Sequence, residues 1–189
     1  QATLHLTKLF LTNSIFLRGV FMKTVGNTFP SLNLQGVNEL NDIVDVDVLI
    51  PGQWSVVYFY PKDFTFICPT EIAAMDTLMG EADVIGISGD NEYCKIAWKK
   101  DNSLIRDINH ILAADCGLYL ASKLGIVSQQ DGVPYRATYI IDPEGIIQHV
   151  SINALDTGRN AEEILRTLKA LKAGGLTGCS WNEGDEFVA

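Results

Sequence analysis

One run of residues, 54–71, constrains this chain more than any other. Residues 54–60 read WSVVYFY, dense in the β-branched and aromatic side chains that suit a buried strand. Pro61 ends the run, and a short loop leads to Cys68. There the pattern changes: Pro69 fits the first turn of a helix, Glu71 lies three residues past Cys68, and Ile72, Met75 and Met79 recur at helical spacing. The sequence therefore predicts strand, tight loop and helix, with Cys68 at the helix N-terminus. Unpaired backbone N–H groups and the positive end of the helix dipole favour an anion at such a place, and only the thiolate of a cysteine is a good nucleophile. Thr65 adds a hydroxyl, both donor and acceptor, three residues before the sulfur. Pro61 stiffens the loop and helps to close one wall.

The rest of the chain alternates strands with helices. Residues 84–88 read as a short apolar strand, 92–100 as a helix and 117–124 as a short helix. Residues 137–141 and 146–150 read as a hairpin turning at Asp142-Pro143-Glu144-Gly145. Residues 160–173 form an amphipathic helical pattern that ends at Gly174 and Gly175. Interleaving of this kind indicates an α/β layered domain. At 189 residues and 47% hydrophobic content, the chain is long enough for one domain with a sizeable core. No internal repeat, low-complexity tract or membrane-length apolar span is visible.

Composition excludes several classes. A net charge of −9 argues against nucleic-acid binding through a basic face. His5, His110 and His149 are scattered without metal-ligand spacing, and neither a phosphate-cradling loop nor a dinucleotide fingerprint is present. No bound cofactor or metal is expected. Four cysteines without framework spacing fit a reduced cytoplasmic protein rather than a disulfide scaffold, and there is no CxxC dithiol.

Pro61, Thr65 and Cys68 in the spacing Pro-x-x-x-Thr-x-x-Cys resemble the active-site signature of the peroxiredoxins. The longer stretch YPKDFTFICPTEIAA, residues 60–74, is similar to the typical two-cysteine members, which include the peroxide-reducing component of bacterial alkyl hydroperoxide reductase. The resemblance runs from about residue 25 to 188 and takes in GISGD (86–90), Trp98, RATYIIDPEG (136–145), GRNAEEILRTLKAL (158–171) and the tail around Cys179 and Trp181. It implies an α/β, thioredoxin-like fold with peroxiredoxin insertions and a C-terminal extension. It also implies a thiol-dependent peroxidase that reduces hydrogen peroxide and organic hydroperoxides without a metal or cofactor.

The chemistry asks for an unprotonated sulfur and for donors aimed at the two peroxide oxygens. Thr65 and one arginine would supply the donors, and Arg136 matches the family's catalytic arginine. Its guanidinium stays charged and carries several fixed donors. Glu71 is expected to pair with Arg136 and orient it, or to cap the helix as its acidic third residue, or both. Attack leaves a sulfenic acid on Cys68, which another thiol must resolve before it overoxidises. Cys179, 111 residues downstream in a glycine-bearing tail, matches the resolving position. By resemblance the bond forms between subunits. Cys94 and Cys116 are expected to be small packing residues.

By the same resemblance the chain forms homodimers that assemble into a ring decamer or dodecamer. The disulfide would be reduced by a thioredoxin-type protein, a dedicated flavoprotein or an AhpD-like protein. The alternative reading is a redox-relay or holdase chaperone with secondary peroxidase activity. The expected layout is an N-terminal extension over 1–22, a thioredoxin-like domain over 23–175 and a resolving tail over 176–189. Residues 1–22 carry Lys8 and Arg18, several Ser and Thr, and no acid. They fit either a mitochondrial-type targeting peptide or a stretch outside the mature domain. Three positions depart from the family pattern. Lys95 stands where related bacterial proteins often have histidine, His110 lies near a usual proline, and Thr177 replaces a further tail cysteine of some relatives. The Gly-Gly-Leu-Gly insertion and Tyr-Phe tail of overoxidation-sensitive forms are absent, which suggests a robust enzyme.

Overall fold

The computed structural model describes residues 21–189, so the expected extension over 1–22 lies almost wholly outside the described residues. Residues 55–59, buried at every position, form a strand, β3 (Ser55–Phe59), that sits inside a seven-stranded sheet. Its parallel neighbours are β4 (Asp83–Ser88) and, beyond that, β5 (Ile111–Ala114). On its other side runs the antiparallel hairpin of β8 (Arg136–Ile141) and β9 (Ile147–Asn153). A second hairpin, β1 (Asn33–Val37) and β2 (Ile43–Asp47), extends the sheet past β5, giving the order β2-β1-β5-β4-β3-β8-β9. A two-residue ribbon, β6 (Val127–Ser128) with β7 (Val133–Pro134), stands apart.

Period-two alternation along β3 divides the core. Val57 and Phe59 face one layer with Phe29, Ile85, Ile87, Tyr139 and the helix α3 (Tyr119–Leu124). Val56, Tyr58 and Tyr60 face the other layer with Cys68, Ile72, Trp98 and Leu168. Those residues come from α1 (Cys68–Met75), α2 (Glu92–Asp101) and α4 (Ala161–Ala173). Gly86 is required where β4 passes Tyr58, because a Cβ there would lie 2.5 Å from the phenol oxygen.

Helix ends follow local chemistry. Asn91 and Asn160 each accept the backbone N–H three residues on, and Gly174 closes α4 at φ +71°. Two expected helices are shorter in the structure. The pattern through Met79 breaks at Met75, continues as a single 3-10 turn (Asp76–Leu78) and leaves Met79 exposed. The helix expected from residue 117 starts only at Tyr119, because Leu118 is left-handed at φ +52° and Asp115 accepts the N–H groups of Leu120 and Ala121. Among the described residues no helix is long and apolar enough to cross a membrane.

Candidate active site

β3 ends at Phe59, a loop leaves its C-terminal end, and Cys68 is the first residue of α1, as the sequence predicts. Pro69 fits the first turn because the N–H it lacks has no helical partner there. The cysteine is fully buried, and its sulfur accepts from Arg136 Nη1 at 3.3 Å. Arg136 opens β8 and is held from two sides. Nε and Nη2 donate to the Leu155 carbonyl at 2.9 and 2.7 Å, and Nη1 also donates to Glu71 Oε2 at 2.6 Å. A guanidinium with two fixed anchors keeps one edge aimed at the sulfur without losing further side-chain entropy.

Glu71, one turn along α1, is equally buried, and its carboxylate bridges two arginines. Oε2 takes Arg136, while Oε1 takes Nε of Arg159 at 2.9 Å and the Arg159 backbone N–H at 3.1 Å. Of the two roles expected for Glu71, orientation of the arginine is the one its contacts display; the cap of α1 has no side-chain hydrogen bond. Arg159 is the residue that sequence reasoning missed. Its Nη2 donates to Phe59 O at 2.6 Å, its Nη1 to Thr138 Oγ1 at 3.1 Å, and the guanidinium lies 4.9 Å from the Tyr58 ring centroid. It thereby ties the C-terminal end of β3 to α1 and to the loop before α4. The available signal was a Gly-Arg pair directly ahead of the Asn160 cap.

Tyr58 itself is fully buried, and burial raises its phenol well above the ordinary range against the lowering effect of Arg159. It is therefore a neutral wall of the site. Its hydroxyl meets His110 Nε2 at 2.8 Å, and His110 Nδ1 meets Asp76 Oδ1 at 2.7 Å. His110, at a position of departure from the family pattern, thus joins the start of β5 to the end of α1.

The other expected site residues fall at varying distances from the sulfur. Thr65 is half-buried on the loop, and its hydroxyl donates to the Lys62 carbonyl at 2.9 Å rather than to Cys68. That bond leaves the oxygen lone pairs free to accept. Pro61 is half-buried and lines a cavity of about 180 Å³ with Lys62, Asp90, Cys116, Leu118 and Pro134, a space that Cys68 does not line. Cys179 is exposed in the tail after α4, beside Arg166, Thr177 and Ser180, and all four cysteines are free thiols. The packing role expected of the remaining two needs correction. Cys116 is exposed, because it falls in the turn between β5 and the left-handed Leu118, and Cys94, in the first turn of α2, is only partly covered.

A buried cysteine at a helix start, one arginine on its sulfur and a carboxylate joining two arginines can be set beside known proteins. The model of the AhpC/TSA family matches residues 25–150. The chain belongs to the AhpC/TSA family. Its relatives in that family include alkyl hydroperoxide reductase C of Mycolicibacterium smegmatis, 36% identical over 183 residues that cover 87% of this chain and 93% of that protein. Among solved structures, the reduced 2-Cys peroxiredoxin of Plasmodium vivax superposes with a TM-score of 0.81 at 32% identity, covering 87% of this chain and 92% of that one. AhpC of Enterococcus faecalis superposes at 0.77 with 29% identity, covering 89% of this chain and all of that one (100%). The resemblance read from the loop and the thioredoxin-like α/β fold class both stand.

Proposed function

We propose that this chain is a thiol-dependent peroxidase in which Cys68 attacks hydrogen peroxide or an organic hydroperoxide. The observation that carries the reading is the buried Cys68 sulfur on the first residue of α1, 3.3 Å from a guanidinium that is itself fixed by Glu71 and Leu155. Glu71 carries one negative charge between two buried arginines, so a thiolate at Cys68 supplies the second and balances the site. The sulfur lone pair attacks one peroxide oxygen, the O–O bond breaks, and the departing alkoxide or hydroxide takes its electrons and then a proton. Cys68 is left as a sulfenic acid, oxidised by two electrons. Thr65, whose own proton is committed to the Lys62 carbonyl, accepts a hydrogen bond from the hydroperoxide, and Arg136 faces the negative charge as it moves from sulfur to oxygen.

Cys179 of the partner subunit then attacks the sulfenic sulfur, water leaves, and an intersubunit disulfide forms. Its support is the exposure of Cys179 in the tail over residues 176–189, which follows the compact unit over 23–175. A thiol-based partner, whether thioredoxin-type, flavoprotein or AhpD-like, returns the two electrons. The chain works as a homodimer built into a larger ring, in a reducing compartment, the cytoplasm, which four cysteines without framework spacing fit.

Stopped-flow tryptophan fluorescence of the reduced protein mixed with hydrogen peroxide tests the reading, in wild type, Cys68→Ser and Cys179→Ser, followed by nonreducing gels. Oxidation that requires Cys68 and a disulfide-linked dimer that requires both cysteines are the expected results. Peroxide consumption that survives Cys68→Ser refutes the attacking thiol, and an intersubunit disulfide that survives Cys179→Ser refutes the resolving one.

A further inference from the structure

We infer that Lys95 is a positioning residue for peroxide attack: its buried ammonium braces, through Asp63, Tyr60 and Ser88, the loop that presents Cys68. The inference rests on the reading of Cys68 as the attacking thiol.

A lysine is almost never fully buried without partners, and Lys95 on α2 is completely buried. Its Nζ has three protons and three oxygens to receive them. It donates to Ser88 Oγ at 2.7 Å and to the Tyr60 hydroxyl at 3.0 Å, and it faces Asp63 Oδ1 at 3.4 Å. Two of these partners belong to the segment between β3 and Cys68. Asp63 is gripped three ways: Tyr60 donates to its Oδ1 at 2.9 Å, Lys95 neutralises it, and its own backbone N–H donates to Asp90 Oδ2 at 2.8 Å. Ser88 Oγ, which donates to the same Asp90 oxygen at 2.9 Å, joins the end of β4 to the cluster.

The next residue shows why the loop needs bracing. Phe64 is left-handed at φ +54°, a strained conformation for a side chain with a Cβ, and its ring lies 6.1 Å from Trp98 on the same α2 helix. Such a turn persists only where its surroundings over-determine it. Lys95 and Trp98, on adjoining turns of α2, hold it from below, one by charge and one by contact. From Phe64 the chain runs four residues to the nucleophile.

The same cluster has the look of a cation site, since Asp63, Asp90 and Cys94 offer ligand atoms within 4.8 Å of one another and Asp63 Oδ2 is buried without a partner. Two facts turn it the other way. The Lys95 ammonium is already the cation among these acids. The Cys94 thiol is pushed up to about 11, first by burial and then by Asp63 and Asp90, so at neutral pH it is a protonated neighbour that adds no charge to the cluster.

The experiment uses the full chain with two readouts at a temperature where each variant is folded: the rate of oxidation by hydrogen peroxide, and the rate at which iodoacetamide alkylates Cys68. Lys95→Met is expected to slow oxidation by about 10- to 100-fold, the scale for misplacement on the order of 1 Å. Alkylation is expected to become faster, because an unbraced loop uncovers the buried sulfur. Lys95→Met leaves Asp63 buried with no counter-charge, so the double variant Asp63→Asn with Lys95→Met removes both charges, and Ser88→Ala removes one anchor without exposing a charge. Both are expected to show the same opposed pair of changes, Ser88→Ala at smaller size. A purely structural lysine predicts folded variants with wild-type oxidation and wild-type alkylation, and that outcome overturns the inference. Cys68→Ser tests the underlying reading separately, since peroxide consumption there would remove it whatever the Lys95 variants do.

Discussion

At the scale of single residues the site is a chain of charges in which each member has a named partner: sulfur, Arg136, Glu71, Arg159. Glu71 is the member whose loss has the widest effect, since its removal leaves two buried guanidiniums facing each other. Breaking a buried pair by neutralising one side costs about 3–5 kcal/mol. Glu71→Gln is therefore expected to lower the urea midpoint markedly. It is also expected to slow peroxide oxidation by roughly 100-fold, because Arg136 loses one of its two anchors. Equilibrium unfolding and stopped-flow fluorescence on the same preparation check both effects, and wild-type stability would mean the bridge is not what holds the arginines. Cys68 at the start of a helix was legible from the strand, loop and helix patterns, whereas Arg136 and its pairing with Glu71 were singled out by the resemblance to the peroxiredoxins, and the fold brings the three side chains together. Arg159 was not legible, because an arginine in the loop before a helix belongs to no period, and only the fold brings it 88 residues back to Glu71. The resting direction of the Thr65 hydroxyl was equally invisible, since spacing cannot say which acceptor a rotor chooses.

Among the elements, the segments that carry the site were the ones with strong patterns: β3, β4, the β8–β9 hairpin and α4 lie within a few residues of where the sequence puts them. The strands β1 and β2 gave no such signal. NLQGV is polar and contains a glycine, IVDVD carries two acids, and β5 has four residues, so their pairing is decided by the sheet they join rather than by their own propensity. The junction of α1 with β5 was also unreadable, yet it is pinned by one carboxylate. Asp76 accepts from the His110 ring at 2.7 Å, the Asn109 side chain at 2.8 Å and both backbone N–H groups. Burial works to raise this carboxyl, but those hydrogen bonds outweigh it and hold it below the usual carboxylate range. A folded value below the unfolded one means that the contribution is complete above the ordinary carboxylate pKa of about 4 and is lost as pH falls further. Asp76→Asn is expected to lower stability at pH 7 by about 1 kcal/mol after allowance for partial exposure. The gap from wild type should close as pH falls from 4 towards 2. Urea midpoints across that range decide it, and a gap independent of pH would show that the carboxylate charge plays no part.

For the whole molecule, the two edges of the sheet differ in a way that selects how copies meet. The β2 edge carries Asp45 and Asp47, charges that discourage pairing with another chain. The β9 edge, IQHVSIN, is the longest strand of the sheet; it has no lysine, proline or acid, and its Ile152 is exposed. An unprotected edge of this kind favours an isologous antiparallel pairing of β9 with β9 of a second copy, which would make one continuous sheet. The position of that edge suits the proposed chemistry. Arg136 is the register partner of Asn153, so the end of β9 lies beside the arginine that reaches the Cys68 sulfur, and a copy docked there would stand close to Cys68. Ile152→Lys replaces an exposed apolar side chain on this edge by a charge, the kind of residue that blocks edge-to-edge pairing. The variant is expected to sediment as a monomer where wild type sediments as a dimer or larger ring. Its Cys68 should still be oxidised by peroxide, since Arg136, held by Glu71 of the same chain, reaches the sulfur. The disulfide-linked dimer should vanish from nonreducing gels, and sulfenic acid should accumulate and overoxidise at peroxide concentrations that wild type survives. An Ile152→Lys protein that remains dimeric and still forms the disulfide would mean that copies meet on another face.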